Sequence, residues 1–198
     1  MTLNFASCSS DDDNIPDVIP ENPIEKMNGD YTGIMQTEAV STYPEKEETP
    51  TGTPVTAKVN NDTVYFESIT IRDIVLGIIP DEGTADKIVE AVGDVAYKIG
   101  YKATLNETKD CILLAMDPKP LTIDVAIPQE DGTPQNLHIE VNVMPVDKAT
   151  YVLEASELKF KITVTEVNLG EGENQTPIEN FPQTVFNFTL EKNHLEQH

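Results

Sequence analysis

The chain has no tryptophan, two cysteines, three histidines and 13 basic residues against 35 acidic ones. Each shortage excludes something. With aromatics at 6% of 198 residues and no indole among them, a carbohydrate platform of large flat rings is thinly supplied. The two cysteines lie in unlike settings, Cys8 in a polar tail and Cys111 in the apolar run Cys111-Ile112-Leu113-Leu114-Ala115-Met116. They make no disulfide framework, and Cys111 reads as a small buried hydrophobe. A formal net charge of -22 repels phosphate backbones, so no nucleic acid is expected as a partner. No apolar run is long enough to span a bilayer, which leaves covalent or peripheral attachment as the routes to a membrane.

Catalytic signatures are missing too. His138 falls on the polar face of a strand beside Glu140 and has no further ligand in motif spacing, so it reads as a solvent-facing residue. There is no nucleophile elbow, P-loop or dinucleotide fingerprint. The acidic stretches Pro80-Asp81-Glu82-Gly83 and 170–173 lack the spacing of an EF-hand loop. Neither a metal nor a cofactor is expected. A glycosidase pair would need one carboxyl in an apolar pocket. Asp110 and Asp124 are the nearest to inward-facing acids, and alternation sends Asp124 to the wet face.

What the chain does have begins at its start. Phe5-Ala6-Ser7-Cys8 resembles the lipobox of bacterial lipoproteins, with Phe5 standing where leucine is commonest. The resemblance implies lipidation of Cys8. A secretory signal also needs a basic region and an apolar stretch of about 7–15 residues. Here the first basic residue is Lys26, so the signal region is expected to lie upstream of Met1. Ser9-Ser10-Asp11-Asp12-Asp13 looks like the acidic signal after the cysteine that sends Bacteroidota lipoproteins to the cell surface. Pro16, Pro20 and Pro23 with Asp17 and Glu21 then make a semi-rigid, solvated spacer. Gly29-Asp30-Tyr31-Thr32-Gly33 resembles the Gly-x-Tyr-x-Gly opening strand of small Bacteroidota lipoproteins of unknown function, several of which are β-sandwiches or calycin-like barrels. Asp62-Thr63-Val64 is similar to the O-glycosylation motif of secreted proteins from the same phylum, which makes Thr63 a candidate acceptor.

The rest is patterned for strands. Asp30 to Thr37 opens the series, and Gly33 inside it signals a bulge or a close backbone approach. Val55–Val59 and Val64–Ile69 flank Asn60-Asn61-Asp62 as a hairpin. The period then changes. Thr70 and Asp73 suggest a capping box opening a short helix, and Ala85, Ile88, Val89 and Val92 form a second helix between Thr84 as N-cap and Gly93 as stop. From Val95 alternation returns, as in Val95, Tyr97, Ile99 and Tyr101, with Lys98 and Lys102 opposite. Asp110 to Met116 reads as a central strand apolar on both faces. Leu121–Ile127 and Leu137–Val143 are joined by the turn Asp131-Gly132, Leu158–Val164 follows, and Phe186, Phe188 and Leu190 close the run.

The expected fold is therefore mainly β: an antiparallel sandwich or calycin-like barrel of about eight or nine strands with one or two short helices. Residues 1–24 form the lipobox remnant and acidic tether, 25–193 one β-rich domain and 194–198 a tail. The expected function is non-catalytic: a lipid-anchored protein of the outer membrane, surface-exposed, binding a protein or glycan or serving a structural role. Tyr43 and Tyr151, in or beside loops, are the candidate ligand contacts. A calycin-like small-ligand carrier and an envelope hydrolase using buried carboxylates stand as the alternatives. Oligomeric state is not legible.

Overall fold

Strands with one wet face and one apolar face must bury the apolar one, and closing a sheet on itself does so without leaving edges. In a computed structural model of the chain, which describes residues 22–39, 52–128, 134–170 and 174–193, the sheet closes. A 3-10 turn, Glu25–Met27, precedes β1 (Gly29–Ala39), β2 (Thr53–Asn60) and β3 (Thr63–Ile69). Helices α1 (Arg72–Ile78) and α2 (Glu82–Val92) follow, then β4 (Val95–Leu105), β5 (Cys111–Pro118), β6 (Leu121–Pro128) and β7 (Pro134–Pro145). The chain ends with β8 (Ala149–Val152), β9 (Glu157–Leu169), the short β10 (Thr176–Pro177) and β11 (Thr184–Lys192).

Eight antiparallel strands run in the order β11-β1-β2-β3-β4-β5-β8-β9, and β9 returns to β11 to close the barrel. A barrel rather than a sandwich is therefore the fold. β9 is 13 residues long and outruns it. Its first half pairs with β8 and its second with β7, and β6 extends the sheet beyond β7. Ile162, Thr163 and Val164 are buried in succession where β9 passes from barrel to extension, because both faces are covered there. The inward face of the extension carries Leu121, Ile123, Val125, Ile139 and Val141. Helix α2 packs on β6 and on α1, and Ile74, Val75 and Ala85 join the same core.

The interior is filled by side chains, as an eight-stranded barrel allows. Phe160 and Phe188 stack at 4.6 Å with their planes 9° apart, and Phe66 lies 5.1 Å from Phe188. Tyr31 and Tyr151 meet edge to face at 6.5 Å. Outward positions include Lys58, Glu67, Lys98, Lys102, Lys159 and Lys161, all exposed. That pattern is the inverse of a lipid-facing barrel, whose outer band is apolar. Among the described residues no helix is long and apolar enough to cross a membrane.

Three local expectations need correction. No capping box forms at α1. Its N-cap is Ile71, with no side-chain bond, and Asp73 instead accepts a bond from the Thr37 hydroxyl at 2.6 Å. Helix α2 starts earlier than Thr84: Asp81 is the N-cap and its carboxylate accepts the Thr84 amide at 2.8 Å. Gly93 does end it, at φ 70°. Strand β5 is central as expected, paired with β4 and β8. Of its two apolar faces, Ile112, Leu114 and Met116 point in, while Cys111 and Leu113 are half-buried and Ala115 is exposed. Cys111 is half-buried rather than buried.

The turn between β4 and β5 is held by side chains. Asp110 accepts bonds from the Asn106 amide at 2.6 Å and the Thr108 hydroxyl at 2.7 Å. Those bonds, from Thr108 first and Asn106 next, lower its carboxyl below the usual carboxylate range. A depressed folded pKa contributes stability above the unfolded pKa, and that contribution is lost as pH falls through the folded value. Asp110→Asn is therefore expected to lower the thermal midpoint at pH 7, with the gap from the parent closing as pH falls through the folded-state titration of Asp110. A gap that stays constant with pH would sink this account of the turn.

Candidate functional site

Cys8 and Tyr43 lie outside the described residues, and so does the Asp131-Gly132 turn. Tyr151 lies in β8 and is 1% exposed, with its ring against Tyr31 inside the barrel. Only its edge borders the surface, at one mouth, so it offers no open face for stacking. Thr63 opens β3 beside the Asn61-Asp62 turn, and its hydroxyl donates to the Asp62 carboxylate at 2.9 Å. The turn itself is set by Asn61, whose φ of 53° is a conformation asparagine tolerates.

The mouth where Tyr151 ends is closed by the turn Glu25–Met27. The Tyr31 hydroxyl donates to the Met27 carbonyl at 2.6 Å, and Lys192 Nζ donates to the Lys26 carbonyl at 2.7 Å. Tyr151 reaches the same Lys26 carbonyl at 3.5 Å. Burial, and next the neighbouring Tyr151, raise the Tyr31 hydroxyl far above the usual phenol range. Tyr101 is pushed up to about 12 by burial, with Asp62 adding to it, and its hydroxyl has no protein partner among the described residues. A cleft of about 490 Å³ opens beside this plug, bordered by Glu25, Lys26, Tyr151, Ser156 and Lys192. The turn Glu25–Met27 is thus bolted to the barrel through two backbone carbonyls.

No Asp or Glu is buried among the described residues, so no carboxyl sits in the apolar pocket that a glycosidase acid needs. Asp124 is 78% exposed and pairs with His138 Nδ1 at 2.6 Å across the β6–β7 ladder. Asp110 is fully exposed, in its turn. No group of three His, Cys, Asp or Glu side chains converges as a metal site among the described residues.

One outward feature was not anticipated. Tyr65 in β3 is half-exposed and sits in a single cross-strand row, Lys58–Tyr65–Lys98. Lys98 Nζ lies 5.4 Å from the ring centroid, within cation–π reach. A hollow opens on each side of the ring. One, of about 380 Å³, is bordered by Lys58, Asn60, Asn61, Asp62, Thr63 and Lys98. The other, of about 250 Å³, is bordered by Asp30, Thr56, Lys58, Glu67 and Asn193. The period-two run Val64-Tyr65-Phe66 carried the signal: if Val64 and Phe66 point in, Tyr65 points out.

Comparison with curated proteins and with solved structures gives no match. A family model described as a domain of unknown function, DUF4840, matches residues 26–169. The match runs from the plug to the end of β9 and stops short of β11, the strand that closes the barrel. The chain belongs to the DUF4840 family.

Proposed function

We propose that the protein is a lipid-anchored, surface-exposed binding module of the bacterial outer membrane, of Bacteroidota type, without catalytic activity. The observation that carries this reading is Cys8 in its small-residue setting, followed by Ser9-Ser10-Asp11-Asp12-Asp13. The barrel suits the role. Its incoming segment is pinned at one mouth by Tyr31, Tyr151 and Lys192, so a pull on the tether would be borne by the barrel. The filled interior favours binding on the outside over the carrying of an apolar ligand within, and the exposed, scattered carboxylates weigh against a hydrolase. If Thr63 were O-glycosylated, its hydroxyl would have to release Asp62.

Lipidation is tested by placing the chain behind an exported signal region that leaves Phe5-Ala6-Ser7-Cys8 as the cleavage motif. Growth with a palmitate analogue should label the parent protein and leave Cys8→Ala unlabelled, a loss of essentially all signal. Equal labelling of both, or of neither, ends the anchor reading.

A further inference from the structure

Resting on the reading of a binding module, we infer that the Tyr65 face takes an acidic saccharide, a chain of uronate-type sugars lying across the outer surface of β2, β3 and β4. Three features point to that class. First, a half-exposed aromatic ring on a charged outer face is a ready stacking surface for a sugar ring. Second, a lysine stands on each side of it in the same row, in a chain with 35 acids and 13 bases. An acidic protein repels anions at large, so lysines paired across a tyrosine act as a local exception. Third, the neighbouring groups are short polar ones, Thr56, Asn60, Asn61 and Thr63. A surface of amides and hydroxyls matches a ligand with many hydroxyl groups better than it matches a flat arene.

The two hollows differ in charge, and that sets the direction of the ligand. Beside Lys98 the border carries two lysines and one acid, Asp62, whose carboxylate already accepts the Thr63 hydroxyl. On the far side Asp30 and Glu67 face Lys58 alone. A carboxylate therefore belongs in the Lys98 hollow, and the neutral ring next to it lies over Tyr65 toward Thr56. The Lys98 hollow, at about 380 Å³, already falls within the roughly 300–1,000 Å³ common for ligand sites, and the second adds about 250 Å³, enough for more than one sugar unit. The site is open and shallow, so millimolar to micromolar affinity is expected.

The test is calorimetry at low salt on the purified full chain, with tetramers of galacturonate, glucuronate and mannuronate and with the methyl ester of each. The ester keeps the ring and removes the charge. At least one free acid should bind, its ester at least tenfold more weakly. Tyr65→Ala and Lys98→Gln should each weaken the acid at least tenfold, while thermal midpoints stay near the parent's because both side chains lie outside the core. Should Tyr65→Ala fail to fold, Lys98→Gln with the acid–ester pair decides alone. No binding by any free acid, equal binding of acid and ester, or binding untouched by Lys98→Gln overturns the inference. So does tighter binding of polyglutamate, which would assign the face to acidic peptides. Lipid labelling of Tyr65→Ala should be normal, so a failed saccharide site and a failed anchor can be told apart.

Discussion

Replacing Phe188 with alanine is expected to cost about 3–5 kcal/mol of folding stability, the range for emptying a buried phenylalanine site. The residue is 2% exposed, stacked on Phe160 and tilted against Phe66. Losing it forfeits the transfer energy of the ring, the contacts with two aromatic neighbours and the packing of whatever cannot collapse into the gap. Collapse is limited because the three rings stand on β3, β9 and β11, which the closed ladder holds apart. Urea unfolding should show a lower midpoint with an unchanged slope, and Phe188→Leu should lose markedly less. A loss below about 1 kcal/mol would mean that the interior is loosely filled. That result would reopen the small-ligand carrier, so one stability measurement bears on function as well as on packing.

Much of this architecture was legible because nearly every strand has one wet face. Val95, Tyr97, Ile99 and Tyr101 are all buried in β4 and Lys98 and Lys102 are exposed, as the alternation required. The hairpin at Asn60-Asn61-Asp62 was legible from its turn chemistry. The extension β6–β7 was not, because a strand patterned to cover a barrel looks the same as one patterned to overhang it. What separates the two is the length of β9 and the pairing of its second half, a long-range fact. The helix caps failed for a different reason. Asp81 and Thr84 both qualify as caps by type, and only backbone geometry decides between them.

The site was less legible than the fold. Tyr151 looked accessible because the residues around it are those of loops, yet β8 is a four-residue strand seated in the barrel wall. Tyr65 was visible to simple alternation, but an outward tyrosine means little until its row partners are known. Lys58 and Lys98 are seven residues before and 33 after it, and only the register joins them. The lipobox-like string Phe5-Ala6-Ser7-Cys8, by contrast, is local and needs no fold to be read. The proposed anchor and the proposed binding face thus draw on different kinds of information, and neither test depends on the other.

Gly33→Ala is expected to destabilise the protein by about 3 kcal/mol, the upper end for overpacking, although the rule for an ordinary extended glycine predicts the opposite sign. Alanine usually stabilises such a position by about 0.4–1 kcal/mol, by restricting the unfolded chain. Gly33 lacks the positive φ that would forbid a side chain. Its difficulty is space. A methyl there would run into the Thr189 carbonyl and come within 2.7 Å of Leu190 Cα. Those are backbone atoms of β11 and cannot rotate aside as a side chain could. The register is continuous through Gly33 on both flanks, so of the two meanings a strand glycine can have, close approach applies and a bulge does not. The contact also lies on the joint between the first and last strands, where separation opens the barrel. Gly100→Ala is the matched control: its nearest neighbour would be the Asp117 carbonyl at 3.5 Å, an ordinary contact, so that variant should be neutral or slightly stabilised. A Gly33→Ala variant as stable as Gly100→Ala, with neither destabilised, would mean that β1 and β11 can part without cost, and that the barrel is not held shut at this joint.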